Sequence, residues 1–321
     1  MKLIIQIPCY NEEKTIARTI NDLPRNISGI SQIEYLVIDD GSSDSTVEVA
    51  RAAGAHHIIS NGTNRGLGFT FMEGLRYCLA EGADIVVNTD GDNQYCGSDI
   101  PLLVQPILNK EADLVVGCRP IKDHQEFSPF KKMMQSLGSS TLRKISKTDV
   151  RDAASGFRAF SRETCMRINV YSRFSYCMET LIQAGTGNLK VLSVDIRVNP
   201  KTRESRLFSN IFEHIVKSGL TMLAMFVLYR PGRFFFGLGT ILMSLALLLG
   251  LRFVYLVYIA QATLGRTYLP SLILLSVLAT LGALSYIVGV LGEILKYHRI
   301  ISENNSYLLR KSIYDPKSDQ G

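Results

Sequence analysis

Residues 86–95 read VVNTDGDNQY. Two valines lead into three polar side chains at alternate positions, Asp90, Asp92 and Gln94. In an extended segment, residues i, i+2 and i+4 point to one side. The three could therefore converge on one point. Two carboxylates and an amide oxygen form a hard-ligand set suited to Mg2+ or Mn2+. The set is incomplete for an octahedral ion and leaves room for water or substrate phosphate oxygens. The same stretch also reads as a polar turn after a strand, with Asp and Asn chosen for turn chemistry.

Ligands of this kind need a scaffold. Short apolar runs and helical patterns alternate along residues 1–120. Strands are expected at 3–7, 34–39, 85–90 and 113–117, and helices at about 13–23, 44–53, 66–80 and 99–109. The alternation predicts an α/β fold, a mainly parallel sheet with helices on both faces. Such sheets collect ligands at the carboxyl ends of their strands. PCYNEE, DDGSSD, TDGDNQ and GCR each follow an expected strand, which predicts a single binding rim. Each cluster alone has another reading. Asn11 and Glu13 could start a helix, and Asp40, Ser42 and Asp44 could form a turn and N-cap around Gly41. NRGLGFTFMEGL lacks the full GxGxxG spacing, and the absence of a GxxxxGKS/T run excludes a P-loop.

The chain has 321 residues, 46% of them hydrophobic, a mean hydropathy of +0.13 and a net charge of +6. The basic residues form no long run, so nucleic-acid binding is not indicated. Cys9, Cys78, Cys96, Cys118, Cys165 and Cys177 include no CxxC pair, which removes zinc ribbons and redox motifs. They read as small buried residues of a reducing compartment. MKLIIQIPCYNEE has too few apolar residues before charge returns to be a signal peptide. The N-terminal part is therefore expected in the cytosol.

Composition changes near Arg230. The blocks 234–251 and 270–295 are both apolar over about the 20 residues that span a bilayer as helix. Arg230 and Arg233 precede the first. Lys296, His298, Arg299, Arg310, Lys311 and Lys317 follow the second. Between them lie Arg266 and Arg252, the latter placed to snorkel. This asymmetry puts both flanks inside. The expected organisation is a cytosolic domain at 1–206, juxtamembrane amphipathic helices at 207–232, a membrane hairpin at 233–296 (spans about 234–259 and 270–295) and a cytosolic tail at 297–321. Phe208, Ile211, Phe212, Ile215 and Val216 recur at helical spacing, as for a helix on a membrane surface or packed on the domain. The hairpin could also pack against copies of itself, giving a homo-oligomer.

IPCYNEEKTI, VIDDGSSDSTVEVA, NRGLGFTFMEGL, NTDGDNQY, ADLVVGCR and SGFRAFSRE occur in that order. Over residues 3–200 this resembles the family 2 glycosyltransferases of the GT-A fold. Within them it is similar to the polyprenyl-phosphate sugar transferases, the dolichyl-phosphate mannose synthase type, in the subgroup with two C-terminal spans. The resemblance implies transfer of a sugar from a UDP- or GDP-linked donor to a polyprenyl phosphate at the membrane, with Mg2+ or Mn2+. Pro8, Tyr10 and Glu12 would cradle the base and ribose, joined by Asp39 and Asp40. Asp90 and Asp92 match the DxD signature, and Gln94 the extra metal ligand. The family commonly has Ala where this chain has Gly91. Arg119 would face the donor diphosphate or the acceptor phosphate. Ser155, Gly156 and Arg158 would shape the acceptor site, with Glu179 positioning the acceptor. Arg203 and Arg206 would close over the diphosphate, and Lys131, Lys132 and Arg143 would grip the lipid phosphate.

Rival readings differ in testable ways. Processive polysaccharide synthases carry a QxxRW motif, which a chain without tryptophan cannot hold. An inactive membrane scaffold would have lost its carboxylates or arginines. A transferase to a lipid hydroxyl such as diacylglycerol keeps the same donor site and needs a general base.

Overall fold

In the computed structural model the first strand, β1 (Lys2–Cys9), is buried from Leu3 onward on both faces. Its near-continuous apolar run suits a central parallel strand. The structure describes residues 1–120, 148–171, 176–200, 220, 223–224, 226–259 and 268–315. β1 pairs in parallel with β2 (Gln32–Asp39) on one side and with β4 (Ile85–Asn88) on the other. β3 (His57–Ser60) extends the sheet beyond β2. β5 (Leu114–Cys118), β6 (Arg158–Ser161) and β7 (Val191–Asp195) complete the order β3-β2-β1-β4-β6-β5-β7. β6 runs antiparallel to both of its neighbours. The mainly parallel sheet stands as expected, with seven strands among the described residues where four were anticipated.

Helices α1 (Ile16–Asp22), α2 (Thr46–Ala52), α3 (Leu67–Ala80) and α4 (Ile100–Leu108) follow β1, β2, β3 and β4. Leu3, Ile5, Ile7, Val37 and Val87 alternate onto one face, where Ile16, Ile20, Leu103 and Val104 cover them. Two further helices, α5 (Arg162–Arg167) and α6 (Cys177–Thr186), follow β6. The periodicity did not single out β3, β6, β7, α5 or α6. β3 and β6 are four residues each, and β7 is half exposed. Such elements carry little of the alternation that marks a strand. All six cysteines are free, and five are buried.

The chain divides into two units, Met1–Ile211 with Glu303–Gly321, and Phe212–Ser302. The second holds α7 (Pro231–Val254), continued by a π-helical turn to Ile259, and most of α8 (Leu269–Tyr314). Both helices are long and apolar enough to cross a membrane. They approach closely where side chains are missing. A Cβ on Gly239 would lie 3.1 Å from the Gly282 carbonyl, and one on Gly289 would lie 2.5 Å from the Phe236 ring. Small residues at contacts are how apolar helices pack without a hydrophobic drive between them. Near the start of α7, Glu293 accepts the Gly232 N–H at 3.1 Å and pairs with Lys296 at 2.6 Å. α8 does not stop where its apolar run ends at 295; it continues as helix to Tyr314, and from Glu303 it belongs to the first unit.

A buried polar pair crosses the middle of the sheet. The Gln6 amide donates to Asn88 Oδ1 at 2.9 Å, and both side chains are fully buried. α3 lies close over this pair because Gly74 offers no side chain: a Cβ there would stand 2.5 Å from Gln6 Oε1 and 2.9 Å from Ile38 Cδ1. Ala would favour the helix by ~1 kcal/mol, while overpacking a filled core costs ~1–3 kcal/mol. Gly74→Ala is therefore expected to lower stability by up to about 2 kcal/mol, read by denaturant or thermal unfolding. A more stable variant would show that Gln6 can move aside.

Candidate active site

The loop after β4 does not continue the strand. β4 ends at Asn88, Gly91 and Asp92 form a turn, and Asn93 has a φ of +56°. The extended alternation expected for Asp90, Asp92 and Gln94 is absent. A turn brings the two carboxylates together instead. Asp90 is pushed up to about 7, first by removal from water, then by Asp92, with Glu12 adding to it and Arg119 and Arg158 opposing it. Gln94 is held through its backbone: its N–H donates to Asp92 Oδ1 at 3.0 Å and its carbonyl accepts from Asn199 at 2.9 Å. Asn199 also donates to the carbonyls of Asn93 and Tyr95 at 3.1 and 3.3 Å.

Two carboxylates confined this way repel, and a divalent cation relieves that repulsion. The buried Asn93 Oδ1 has no hydrogen-bond partner, an acceptor that a metal-bound water would satisfy. The donor set therefore fits a hard divalent ion held by Asp90 and Asp92 with solvent or ligand oxygens. Among the described residues, no group of three or more His, Cys, Asp or Glu side chains is arranged to hold a metal ion by itself.

The loop 152–157 presses on this pair from β6. A Cβ on Gly156 would lie 3.0 and 3.1 Å from the Asp90 oxygens and 2.8 Å from the Tyr176 hydroxyl. Gly156 is fixed from three sides. Its N–H donates to the Tyr95 hydroxyl at 3.0 Å, and its carbonyl accepts from Asn88 and Tyr176, both at 3.0 Å. Asn88 also donates to the Tyr176 hydroxyl at 2.7 Å, and Tyr176 stacks on Phe71 at 4.0 Å. Gln6, Asn88, Tyr95 and Tyr176 thus place Gly156 against Asp90. Sequence reading missed all four. A lone Gln inside LIIQIP and an Asn closing VVN were the available signal, because a buried polar group in a strand demands a partner.

Several expected residues take other roles. Arg158 is fully buried, and its guanidinium donates to the carbonyls of Ser155, Cys177 and Ala153, each at 2.8 Å, and to Thr180. It holds the loop 152–157, and its positive charge acts on Asp90. Arg119 forms a two-pronged pair with Asp152 at 2.7 and 3.1 Å. Ser155 is buried, its hydroxyl accepting from the Phe157 N–H at 3.3 Å. Glu179 lies in the first turn of α6. It is 1% exposed, and its carboxylate accepts the Tyr171 N–H at 2.8 Å.

On the β1–β2 side, Asp39 accepts from Ser42 N–H at 3.0 Å and Ser60 at 2.8 Å. Asp40 accepts from Asn61 at 3.0 Å and from the N–H groups of Arg65 and Gly66 at 2.9 Å. Both aspartates are buried and hold loops. Glu12 is buried, while Tyr10 is 43% exposed and Pro8 lies beneath it in β1. The Cys9 thiol is pushed up by burial and then by Asp39, Glu12, Asp44 and Asp40, which sets all four around the end of β1. Gly91 fills the space between: a Cβ there would lie 3.1 Å from Cys9 Cβ, a contact an alanine fits only with a small adjustment. Lys131, Lys132, Arg143, Arg203 and Arg206 lie outside the described residues.

Two outcomes follow from the pressed pair. A carboxyl moved from its ordinary 3.8 to about 7 lets the unfolded chain ionise first. Folded stability from this group is full below pH 4 and lost as pH rises through 7, by up to about 4 kcal/mol. Asp90→Asn should therefore raise the thermal midpoint of metal-free protein, by more at pH 8 than at pH 5, while abolishing turnover. Equal midpoints at both pH values would remove the repulsion argument. Gly156→Ala, with no backbone strain, should displace Asp90 and cut turnover at least tenfold with the circular dichroism unchanged; wild-type turnover would show the contact is idle.

Residues 4–168 match Glycosyl transferase family 2. The chain is 31% identical over 213 residues to the UDP-N-acetylglucosamine–dolichyl-phosphate N-acetylglucosaminyltransferase of Methanococcus voltae, covering 60% of this chain and 83% of that protein. It is 28% identical over 176 residues to the undecaprenyl-phosphate mannosyltransferase of Micrococcus luteus, covering 53% and 70%. Glucosyl-3-phosphoglycerate synthase from Mycobacterium tuberculosis, solved with Mn2+, UDP and glucosyl-3-phosphoglycerate, superposes with a TM-score of 0.54 at 21% identity, over 70% of this chain and 78% of that one. That likeness gives the GT-A fold. With half the chain matched and the DxD pair at its strand end, this protein belongs to glycosyl transferase family 2 and is a glycosyltransferase.

Proposed function

We propose that this enzyme transfers a sugar from a nucleotide-diphosphate donor to a polyprenyl phosphate, with inversion, at the cytosolic face of a membrane. The observation that carries the reading is the Asp90–Asp92 pair, two carboxylates forced together at the carboxyl end of a parallel sheet. Relatives named for dolichyl- and undecaprenyl-phosphate transfer support the acceptor class. The two long apolar helices support a membrane setting.

Asp90 and Asp92 would hold Mg2+ or Mn2+, with Gln94 as a further ligand. The bound ion would supply Lewis-acid neutralisation of the leaving diphosphate. Tyr10, Pro8 and Glu12 would receive the base and ribose, with the Asp39 and Asp40 loops as their floor. Gly156, without a side chain, lets its loop lie directly against Asp90. Arg119 and Arg158 supply fixed positive charge where negative charge develops. Arg203, Arg206, Lys131, Lys132 and Arg143 would meet the phosphates of donor and acceptor. An acceptor phosphate has its second pKa near ~6 and is already ionised at neutral pH, so no side chain need remove a proton. Glu179, engaged with the Tyr171 N–H, then serves to hold its segment. In the same reading the catalytic domain and both flanks of the hairpin are cytosolic.

The test is a side-by-side assay of polyprenyl phosphate, polyprenol and diacylglycerol with UDP- and GDP-sugars. Transfer to the phosphate alone is expected. It should be lost on chelation, restored by Mn2+ or Mg2+, and reduced at least 100-fold in Asp92→Ala. Transfer to either hydroxyl lipid, abolished by Glu179→Gln, would replace this reading with a general-base transferase.

A further inference from the structure

The C-terminal end of α8 returns to the catalytic unit. Arg310 donates to the carbonyls of Met166 and Ile168 at 3.2 and 2.7 Å, and to Asn169 Oδ1 at 2.6 Å. The first two are carbonyls at the end of α5, groups that a helix terminus leaves without intrahelical partners and that a cation suits. Two further contacts fasten the segment. Tyr307 donates to Glu163 at 2.9 Å beneath the Arg167 guanidinium, and Arg162 donates to the Tyr314 carbonyl at 2.6 Å.

The chain of contacts continues inward. Asn169 exchanges hydrogen bonds with Gln183 in both directions: its N–H donates to Gln183 Oε1 at 2.8 Å, and the Gln183 amide donates to its carbonyl. Gln183 lies on α6, two turns from Tyr176 and Cys177. Those two hold Gly156 and Arg158. Asn169 also precedes Tyr171, whose N–H is held by Glu179. Both ends of α6 are thus fixed, one by the Arg310–Asn169 clasp and the other by the loop that presses on Asp90. The donor-side carboxylates Asp39 and Asp40 have no part in this chain of contacts.

We infer that Arg310 is a positioning residue for the acceptor side of the active site, acting through Asn169, Gln183 and α6, and that residues 303–314 are an intramolecular brace the catalytic unit requires. The inference deepens the proposed function and rests on it for the nature of the acceptor. The geometry requires a fork: two carbonyls and an amide oxygen lie around one guanidinium, an arrangement a lysine meets only in part.

The experiment uses the full chain in detergent. Wild type, Arg310→Ala, Arg310→Lys and Asn169→Ala are compared for Mn2+-dependent binding of UDP and GDP, and for kcat and KM toward undecaprenyl phosphate. Arg310→Ala should bind nucleotide within twofold of wild type. It should lose about tenfold in kcat/KM for the lipid, with Arg310→Lys recovering part of the loss. Arg310→Ala combined with Asn169→Ala should cost no more than Arg310→Ala alone. Hydrogen exchange at Asn169 and Tyr171 should quicken at least tenfold in Arg310→Ala, with β1 and β2 unchanged. Unchanged exchange there overturns the brace. Parallel loss of nucleotide binding would mean support of the fold in general and also overturns it. If wild type transfers nothing to the lipid, the acceptor reading fails by itself, and the exchange measurement still decides the brace.

Discussion

Two negative charges pressed together in a recess cannot stay there on their own account. Asp90 and Asp92 are held because a turn closes the chain around them and a buried polar scaffold blocks their retreat. Gln6 fixes Asn88, Asn88 fixes Gly156 and Tyr176, and Gly156 leaves no space behind Asp90. Each link is a satisfied hydrogen bond between groups removed from water, so breaking one leaves the others costly. The strain of like charges is the site's readiness for a cation. The apolar sheet and its helices exist, chemically speaking, to make that arrangement rigid.

The arginines show the same economy. Arg158 is fully buried, and its hydrogen bonds go to three carbonyls and the Thr180 hydroxyl rather than to a carboxylate. Burial of an unpaired guanidinium is tolerable because four oxygens surround it and the acidic rim lies nearby. Arg119 is neutralised by Asp152, and burial works against its charge while Tyr95, Asp152 and Asp90 more than offset that. Neither side chain has to reach a ligand to influence one. Their charges are fixed before any substrate arrives, which is the condition for electrostatic stabilisation without reorganisation.

Much of this was legible in the sequence, for identifiable reasons. β1, β2, β4 and β5 are apolar and helix-alternating, so their pattern announces them and the rim at their ends. The pairing of Asp90 with Asp92 was foreseen, but for a different geometry: alternation in a strand was expected, and a turn with Asn93 at positive φ provides it. Arg158 was expected to shape the acceptor site and Glu179 to position the acceptor; nothing in the pattern announced that both are buried, since a charged side chain is ordinarily exposed. Arg158 is held by Ala153 and Cys177 and Glu179 by the Tyr171 N–H, pairings that periodicity does not report. The scaffold of Gln6, Asn88 and Tyr176 joins residues up to 88 positions apart, and Arg310 meets Asn169 across 141. Periodicity is blind to such pairs.

The antiparallel setting of β6 has a topological consequence. A parallel strand offers the rim only the loop that leaves it, whereas β6 offers the loop that enters it. The long excursion after β5 therefore departs from the rim at Cys118 and comes back to the same rim at Arg158. The strand ends stay at that rim whatever the length of chain between them. One inverted strand therefore gives the rim both ends of a single connection, where a parallel strand would give it one.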